Sequence, residues 1–422
     1  MQIFKFGGAS VKSAENIKNV SEIIAKYKTS ELLVVVSAIG KTTNRLEQLA
    51  QSYYNESGDT ITILEQIKID HFAIINELFD KRSLPIFDEL ANAFVEVEWI
   101  LEEEPLDSYA YIYDQIVSLG EILSSKILSA YLQYIGQSIY YLDARDYIQT
   151  DNTYCEGKVN WVLTEEKILR DLPTILSNHT IITQGFIGST SENFTTTLGR
   201  EGSDYSAAIF ASCLNAENLT IWKDVPGVLN ADPKWFNETE LIPELSYTDA
   251  IELTYYGATV IHPKTIKPLQ NKNIPLKVRS FLNPQEAGTI IKVTNQTLPI
   301  PSFIFKVNQV LISIQPIDFS FIVEDNLSHI YNLFHLHRIK VNMMHNSAIS
   351  FSVSIDDTGY NVNDLLEELK TRYKINVDRD LELITIRYYN QETINRVLIN
   401  KEIIRELKDS YTCQILVRNL DE

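Results

Sequence analysis

The chain has 422 residues, 45% of them hydrophobic, and a formal net charge of −19 with a pI near 4.9. That length exceeds the size at which one core usually stops growing, so two or more domains are expected, while the acidic balance argues against non-specific binding to nucleic acid or to an anionic membrane. Cys155, Cys213 and Cys413 lie far apart, the amino terminus lacks a leader pattern, and no segment holds roughly 18 uninterrupted apolar residues, so the expectation is a soluble cytoplasmic protein without a disulfide framework or zinc ribbon.

In chain order, apolar runs at 3–6 and Leu32–Val36 flank an amphipathic stretch Ala14–Tyr27, a β-α-β unit that implies a parallel sheet. From 61 to 134 apolar residues recur at three- and four-residue spacing, a helical excursion broken mainly at Pro85 and Pro105. Strand signals return at Ile139–Leu142 and 181–183. A Gly-rich turn, a helix over 203–213 and a strand over 219–222 follow. Helices near 247–254 and 263–270 and strands near 275–278 and 289–293 complete an α/β domain to about residue 295. The prolines of Thr297-Leu-Pro-Ile-Pro-Ser302 resist helix and interior strand alike and mark the best boundary. Beyond it come a strand at 310–314, a helix at 323–336, strands at 339–344 and 349–355, and a helix at 362–373. A shorter run follows, with a strand at 381–387, a helix from about 393 to 407 and a strand at 413–417. It reads as a weak repeat whose second half is missing.

Four segments carry candidate chemistry. In Lys5-Phe-Gly7-Gly8-Ala-Ser10-Val a strand runs through two glycines into a helix, which suits phosphate approach but equally a plain strand-to-helix turn. Ser37-Ala-Ile-Gly40-Lys41-Thr42-Thr43 is not a P-loop, because Val35 stands where that pattern needs glycine; its hydroxyls are candidate substrate contacts or helix caps. Thr183-Gln-Gly185-Phe-Ile-Gly188 with Gly199-Arg200-Glu-Gly202-Ser203-Asp204 sets an arginine fork and polar groups among glycines, and backbone approach to a ligand is the better reading. The loop Trp222-Lys223-Asp224-Val-Pro-Gly, with Asp232-Pro-Lys234 after it, could set carboxylates on a ribose or amine and a lysine on phosphate. The histidines suggest no metal site, since His335 and His337 point apart on a helix.

These strings resemble, in order, those of aspartokinases in the amino-acid kinase family: KFGG-x-SV, VVVSA with a following TTN, the GE of Gly120-Glu121, TQGFIG, TTLGR-x-GSDY, W-x-DVPG with a later DP, and YGA-x-V-x-HP. The resemblance covers nearly the whole chain. It implies a three-layer α/β/α open sheet over 1–295, with an amino-acid lobe to about 196 and a nucleotide lobe over 197–295. An α+β, ferredoxin-like tandem of ACT-like modules is implied over 302–422, the second shortened. It also implies γ-phosphate transfer from ATP, with Mg²⁺, to the side-chain carboxylate of L-aspartate, the first step of lysine, threonine and methionine biosynthesis.

By the same resemblance Lys5 and Asp204 are catalytic, and Ser37, Thr43, Glu121, Arg200 and Ser203 hold aspartate. Glu121 takes the ammonium and Arg200 the α-carboxylate. Lys5, Gly7, Gly8, Ser10, Lys223, Asp224, Asp232 and Lys234 fall on the ATP side. A homodimer through the ACT-like region is expected, with no nucleic-acid or membrane partner. Two departures stand out. Thr259 replaces the family's usual lysine, a loss that Lys223 is expected to restore in part, and the tail carries Asn342 where an Asp-bearing strand is usual, so feedback by lysine or threonine should be weak or absent. The alternatives are an impaired amino-acid sensor, favoured only by Thr259 and Glu201, and a sister kinase acting on another small acid such as glutamate.

Overall fold

Runs of β-branched and aromatic residues give Gln2–Phe6 (β1), Leu32–Val36 (β2) and Thr180–Gln184 (β4), buried at every position, as strands covered by helices on both faces are. A computed structural model describes residues 1–420 apart from 30, 81–83, 237, 259–260, 295–299 and 319. With Ile139–Leu142 (β3), Asn218–Lys223 (β7), Glu244–Ser246 (β8), Leu276–Ser280 (β9) and Thr289–Lys292 (β10), the chain builds an eight-stranded sheet in the order β3-β4-β2-β1-β7-β9-β10-β8, while Ile187–Ser189 (β5) and Thr195–Thr197 (β6) form a separate hairpin. Its pairs are parallel except β9 with β10.

The helix Ala14–Tyr27 (α1) starts where Ser13 accepts a bond from the Asn16 N–H and buries Ile17, Val20, Ile23 and Ile24, its apolar stripe. The helical excursion is Thr42–Tyr54 (α2), Thr60–Leu78 (α3), Pro85–Glu102 (α4), Tyr109–Val117 (α5) and Leu119–Tyr134 (α6). Trp161–Leu176 (α7), Gly202–Cys213 (α8), Tyr247–Tyr256 (α9) and Pro263–Lys272 (α10) follow. Near the middle of the sheet the fully buried Trp222 stacks on Phe6 at 6.0 Å, and the Arg279 guanidinium lies 4.9 Å over its ring, which ties β1, β7 and β9 together.

The chain forms two compact units, one of Met1–Val228, Leu241–Ile251 and Val260–Thr297, the other of Leu229–Glu240, Glu252–Thr259 and Leu298–Glu422. The division is therefore not a single point near 295, as the sequence suggested. Aromatic packing explains the first exchanged segment: Phe236 meets Phe303 at 4.9 Å and Phe305 at 5.4 Å, and the Phe303 N–H donates to the Asn230 carbonyl at 2.7 Å. In the second, Glu252 lies 3.7 Å from Arg387. Within the proline segment, 297–299 lie outside the described residues.

In the second unit Ser302–Pro316 (β11) and Tyr373–Arg387 (β14) pair antiparallel along most of their length at the centre of a six-stranded sheet, β12-β13-β11-β14-β16-β15. The other members are Val341–Asn346 (β12), Phe351–Asp356 (β13), Lys401–Lys408 (β15) and Thr412–Asn419 (β16), with helices Glu324–Leu336 (α11), Tyr360–Lys370 (α12) and Gln391–Val397 (α13). Two α+β repeats thus share one sheet. Residues 302–306 of β11 lie beside β14 and give the second module its fourth strand, so the repeat lacks a helix rather than its second half.

The expected helix over 393–407 is a correction. Helix α13 ends at Val397, Asn400 takes a left-handed φ of 55°, and 401–408 form a strand. A register shift between Ile403 and Arg405 breaks the alternation of that strand. Ile404 and Leu407 consequently pack on the same cluster, and their three-residue spacing imitates a helical face. Among the described residues no helix is long and apolar enough to cross a membrane.

Candidate active site

At the end of β1 the chain turns through Gly7 and Gly8 into the short helical turn Gly8–Val11. A Cβ on Gly8 would stand 2.5 Å from the Ala38 carbonyl oxygen, so only glycine lets this turn lie against the loop after β2. β1 and β7 are parallel neighbours with Phe6 beside Trp222, which brings Lys5 and Lys223 to the same end of the sheet. There the buried Lys5 ammonium lies 2.6 Å from Asp204 Oδ1, in the first turn of α8, and Lys223 Nζ lies 3.5 Å from Asp204 Oδ2. Burial pushes the Asp204 carboxyl up, but the two ammonium groups outweigh it and hold the group below its ordinary range.

Beside this triad is a cavity of about 580 Å³, lined by Ser37, Thr43, Glu121, Arg200, Ser203 and Gly8 among others. Arg200 is exposed, whereas Glu121 is only 2% exposed. One Glu121 oxygen accepts the Ala38 N–H at 3.3 Å; the other is buried with no hydrogen-bond partner among the described residues. Burial pushes the Glu121 carboxyl up to about 8, against the pull of the Ala38 N–H and Lys5. The cavity therefore offers an unmatched carboxylate, an arginine fork and hydroxyls, the complement of a small zwitterion.

Residues 1–280 match the model of the amino acid kinase family. The chain belongs to that family. It is 29% identical over 394 residues to lysine-sensitive aspartokinase 3 of Escherichia coli, covering 91% of this chain and 86% of that one. It is 34% identical over 292 residues to bifunctional aspartokinase/homoserine dehydrogenase 2 of Arabidopsis thaliana, covering 68% of this chain and 32% of the relative, so the chain spans about a third of such bifunctional proteins. The fold superposes on the crystal structure of E. coli aspartokinase III in complex with aspartate and ADP with a TM-score of 0.85 and 26% identity, covering 99% of this chain and 96% of that one.

The remaining expected residues of this amino acid kinase are spread more widely. The Ser10 hydroxyl donates to the Gly7 carbonyl at 2.6 Å and so closes the turn, and Asp224 is exposed just beyond β7. Asp232 and Lys234 belong to the second unit, where the Asp232 carboxylate accepts the Lys234 N–H at 2.9 Å. Thr259 lies outside the described residues. Glu201 takes a left-handed φ of 54° ahead of α8, a strained conformation for a side-chain-bearing residue, and lines the cavity. Burial pushes its carboxyl up against the pull of Lys223.

Sequence reading missed Glu47 and Tyr113, which also line the cavity and are joined by a 2.6 Å hydrogen bond from the Tyr113 hydroxyl. The only signal available was a polar side chain on each of two otherwise amphipathic helices. No group of three or more His, Cys, Asp or Glu among the described residues could hold a metal ion. Mg²⁺ fits such a site when it arrives on nucleotide phosphates with most of its ligands supplied by them and by water.

Proposed function

We propose that this amino acid kinase transfers the γ-phosphate of ATP to the side-chain carboxylate of L-aspartate, giving 4-phospho-L-aspartate. The observation that carries the reading is the buried, unpartnered Glu121 oxygen in a cavity that also holds Arg200 and borders the Lys5–Asp204 pair. An ammonium group seated on Glu121 and an α-carboxylate on Arg200 would aim the second carboxylate of an amino acid at the phosphate side. That nucleophile is already ionised at neutral pH, so no general base is needed. What remains is alignment of two anions and stabilisation of charge on the transferring group.

Lys5, held by Asp204, supplies a positive charge where the phosphoryl group passes, and Lys223 adds a second from the end of β7. Gly7 brings the backbone beside the Lys5 ammonium, where phosphate would lie, with Asp224 on the nucleotide side. Mg²⁺ bound to the nucleotide would neutralise phosphate charge. The related E. coli enzyme, crystallised with aspartate and ADP, supports the choice of aspartate and of an adenine nucleotide. A homodimer through the ACT-like unit and a cytoplasmic location belong to the same proposal.

Purified protein with ATP, Mg²⁺ and hydroxylamine should form a hydroxamate from aspartate and little from glutamate. A glutamate preference would move the assignment to a sister kinase. No hydroxamate from either acid would reject phosphorylation of both.

A further inference from the structure

Asp114 sits in α5, outside every motif that drew attention to the site, and is fully buried. Its carboxylate accepts the Cys155 N–H on both oxygens, at 3.1 and 3.0 Å, the Thr197 N–H at 2.9 Å and the Thr197 hydroxyl at 2.6 Å. Burial pushes the carboxyl up to about 6 against the pull of these donors. So many bonds on one buried carboxylate indicate a fixed joint between chain segments rather than a surface detail.

The segments it joins lead directly to the cavity. Cys155 and Glu156 line it from one loop, and Gly199 and Arg200 line it a few residues beyond Thr197. The Gly157 N–H donates to the Thr197 carbonyl at 2.8 Å, and a Cβ on Gly199 would stand 3.2 Å from Glu156 Cγ and 3.3 Å from the Cys155 carbonyl oxygen. The two segments therefore rest on each other, and Asp114 clasps both. Its neighbour Tyr113 faces the same cavity. Cys155 itself holds a left-handed φ of 67°, a conformation that persists only where the surroundings enforce it.

We infer that Asp114 is a positioning residue for acceptor binding: by clasping the Cys155 and Thr197 backbones it sets the cavity wall that carries Arg200. This rests on the proposal that the cavity holds the acidic amino acid. Asp114 touches no reacting group in this account, so its loss should act on acceptor affinity and leave the nucleotide side intact.

The test is Asp114→Asn, which keeps one acceptor oxygen but turns an NH₂ group towards the donors. The expected result is a KM for aspartate raised about 30-fold, a KM for ATP within about twofold of wild type, and faster amide hydrogen exchange confined to 153–157 and 195–200. Thr197→Val removes only the hydroxyl bond and should raise the aspartate KM about threefold; it decides the matter if Asp114→Asn does not fold. Equal changes in both KM values, or a loss of kcat alone, would overturn the inference. If wild-type protein forms no hydroxamate from aspartate, the functional reading fails by itself, and the exchange pattern still decides whether Asp114 holds the wall: global or unchanged exchange rejects it.

Discussion

In the first unit Glu121 keeps a carboxylate oxygen buried without a partner among the described residues, whereas polar groups across β12, β13 and β11 of the second unit's sheet satisfy one another. There Lys306 Nζ donates to Asn342 Oδ1 at 2.7 Å, Asn342 Nδ2 donates to Gln309 Oε1 at 3.0 Å and Asp356 Oδ1 at 2.9 Å, and Gln309 Nε2 reaches the same Asp356 oxygen at 2.7 Å. A buried polar group left unmatched costs about 1–3 kcal/mol, more if charged. At Glu121, which lines the cavity, a ligand would offset that cost. The contrast is between a polar network that is closed on itself and an open carboxylate oxygen set beside a cavity.

The largest expected effect breaks the open side of that comparison. Lys5→Met should lower kcat by about 10³-fold in steady-state assays, with folding retained, because it removes a preorganised positive charge from the site of transfer. Undiminished turnover in that variant would remove Lys5 from the chemistry.

Glu121 supplies the next prediction. Its ordinary carboxyl value is 4.5, and in the free protein it is raised to about 8, so the cavity loses its negative charge as pH falls below 8. The kcat/KM for aspartate should climb up to tenfold per pH unit towards pH 8 and then level, and Glu121→Gln should flatten the profile. The stability sign is opposite. Between pH 4.5 and about 8 folded Glu121 keeps a proton that the unfolded chain releases, so its contribution to stability falls as pH rises through that window, and the variant should lose that contribution to the slope in thermal unfolding.

A smaller effect attaches to Lys223. If it offsets the lysine expected at position 259, Lys223→Ala should weaken ATP affinity about tenfold by titration calorimetry. Affinity equal to wild type would end the compensation idea. Least affected should be regulation: with both ends of Asn342 already bonded, millimolar lysine or threonine should inhibit turnover by less than about twofold, and strong inhibition would show that the closed network opens for a ligand.

The ends of β1, α8 and β7 that meet at Asp204 were legible in the sequence because glycines, lysines and an aspartate cluster there in short strings. Those strings work through the backbone, which is why local spacing carries their meaning. Asp114 and the Glu47–Tyr113 pair were not legible, since each is a single polar side chain in helices whose apolar spacing reads as core, and their partners are 41 to 83 residues away. The strand at 401–408 was misread because a bulge placed Ile404 and Leu407 on one side. The exchange of 229–240 and 252–259 between units depends on contacts such as Phe236 with Phe303 that no local pattern announces.

The central claim, that the open carboxylate of Glu121 seats the ammonium of an amino acid acceptor, is tested most directly by comparing aspartate with succinate, which lacks the ammonium. The ratio of their kcat/KM values should be large for wild type and should collapse at least about tenfold in Glu121→Gln. An unchanged ratio would contradict the claim.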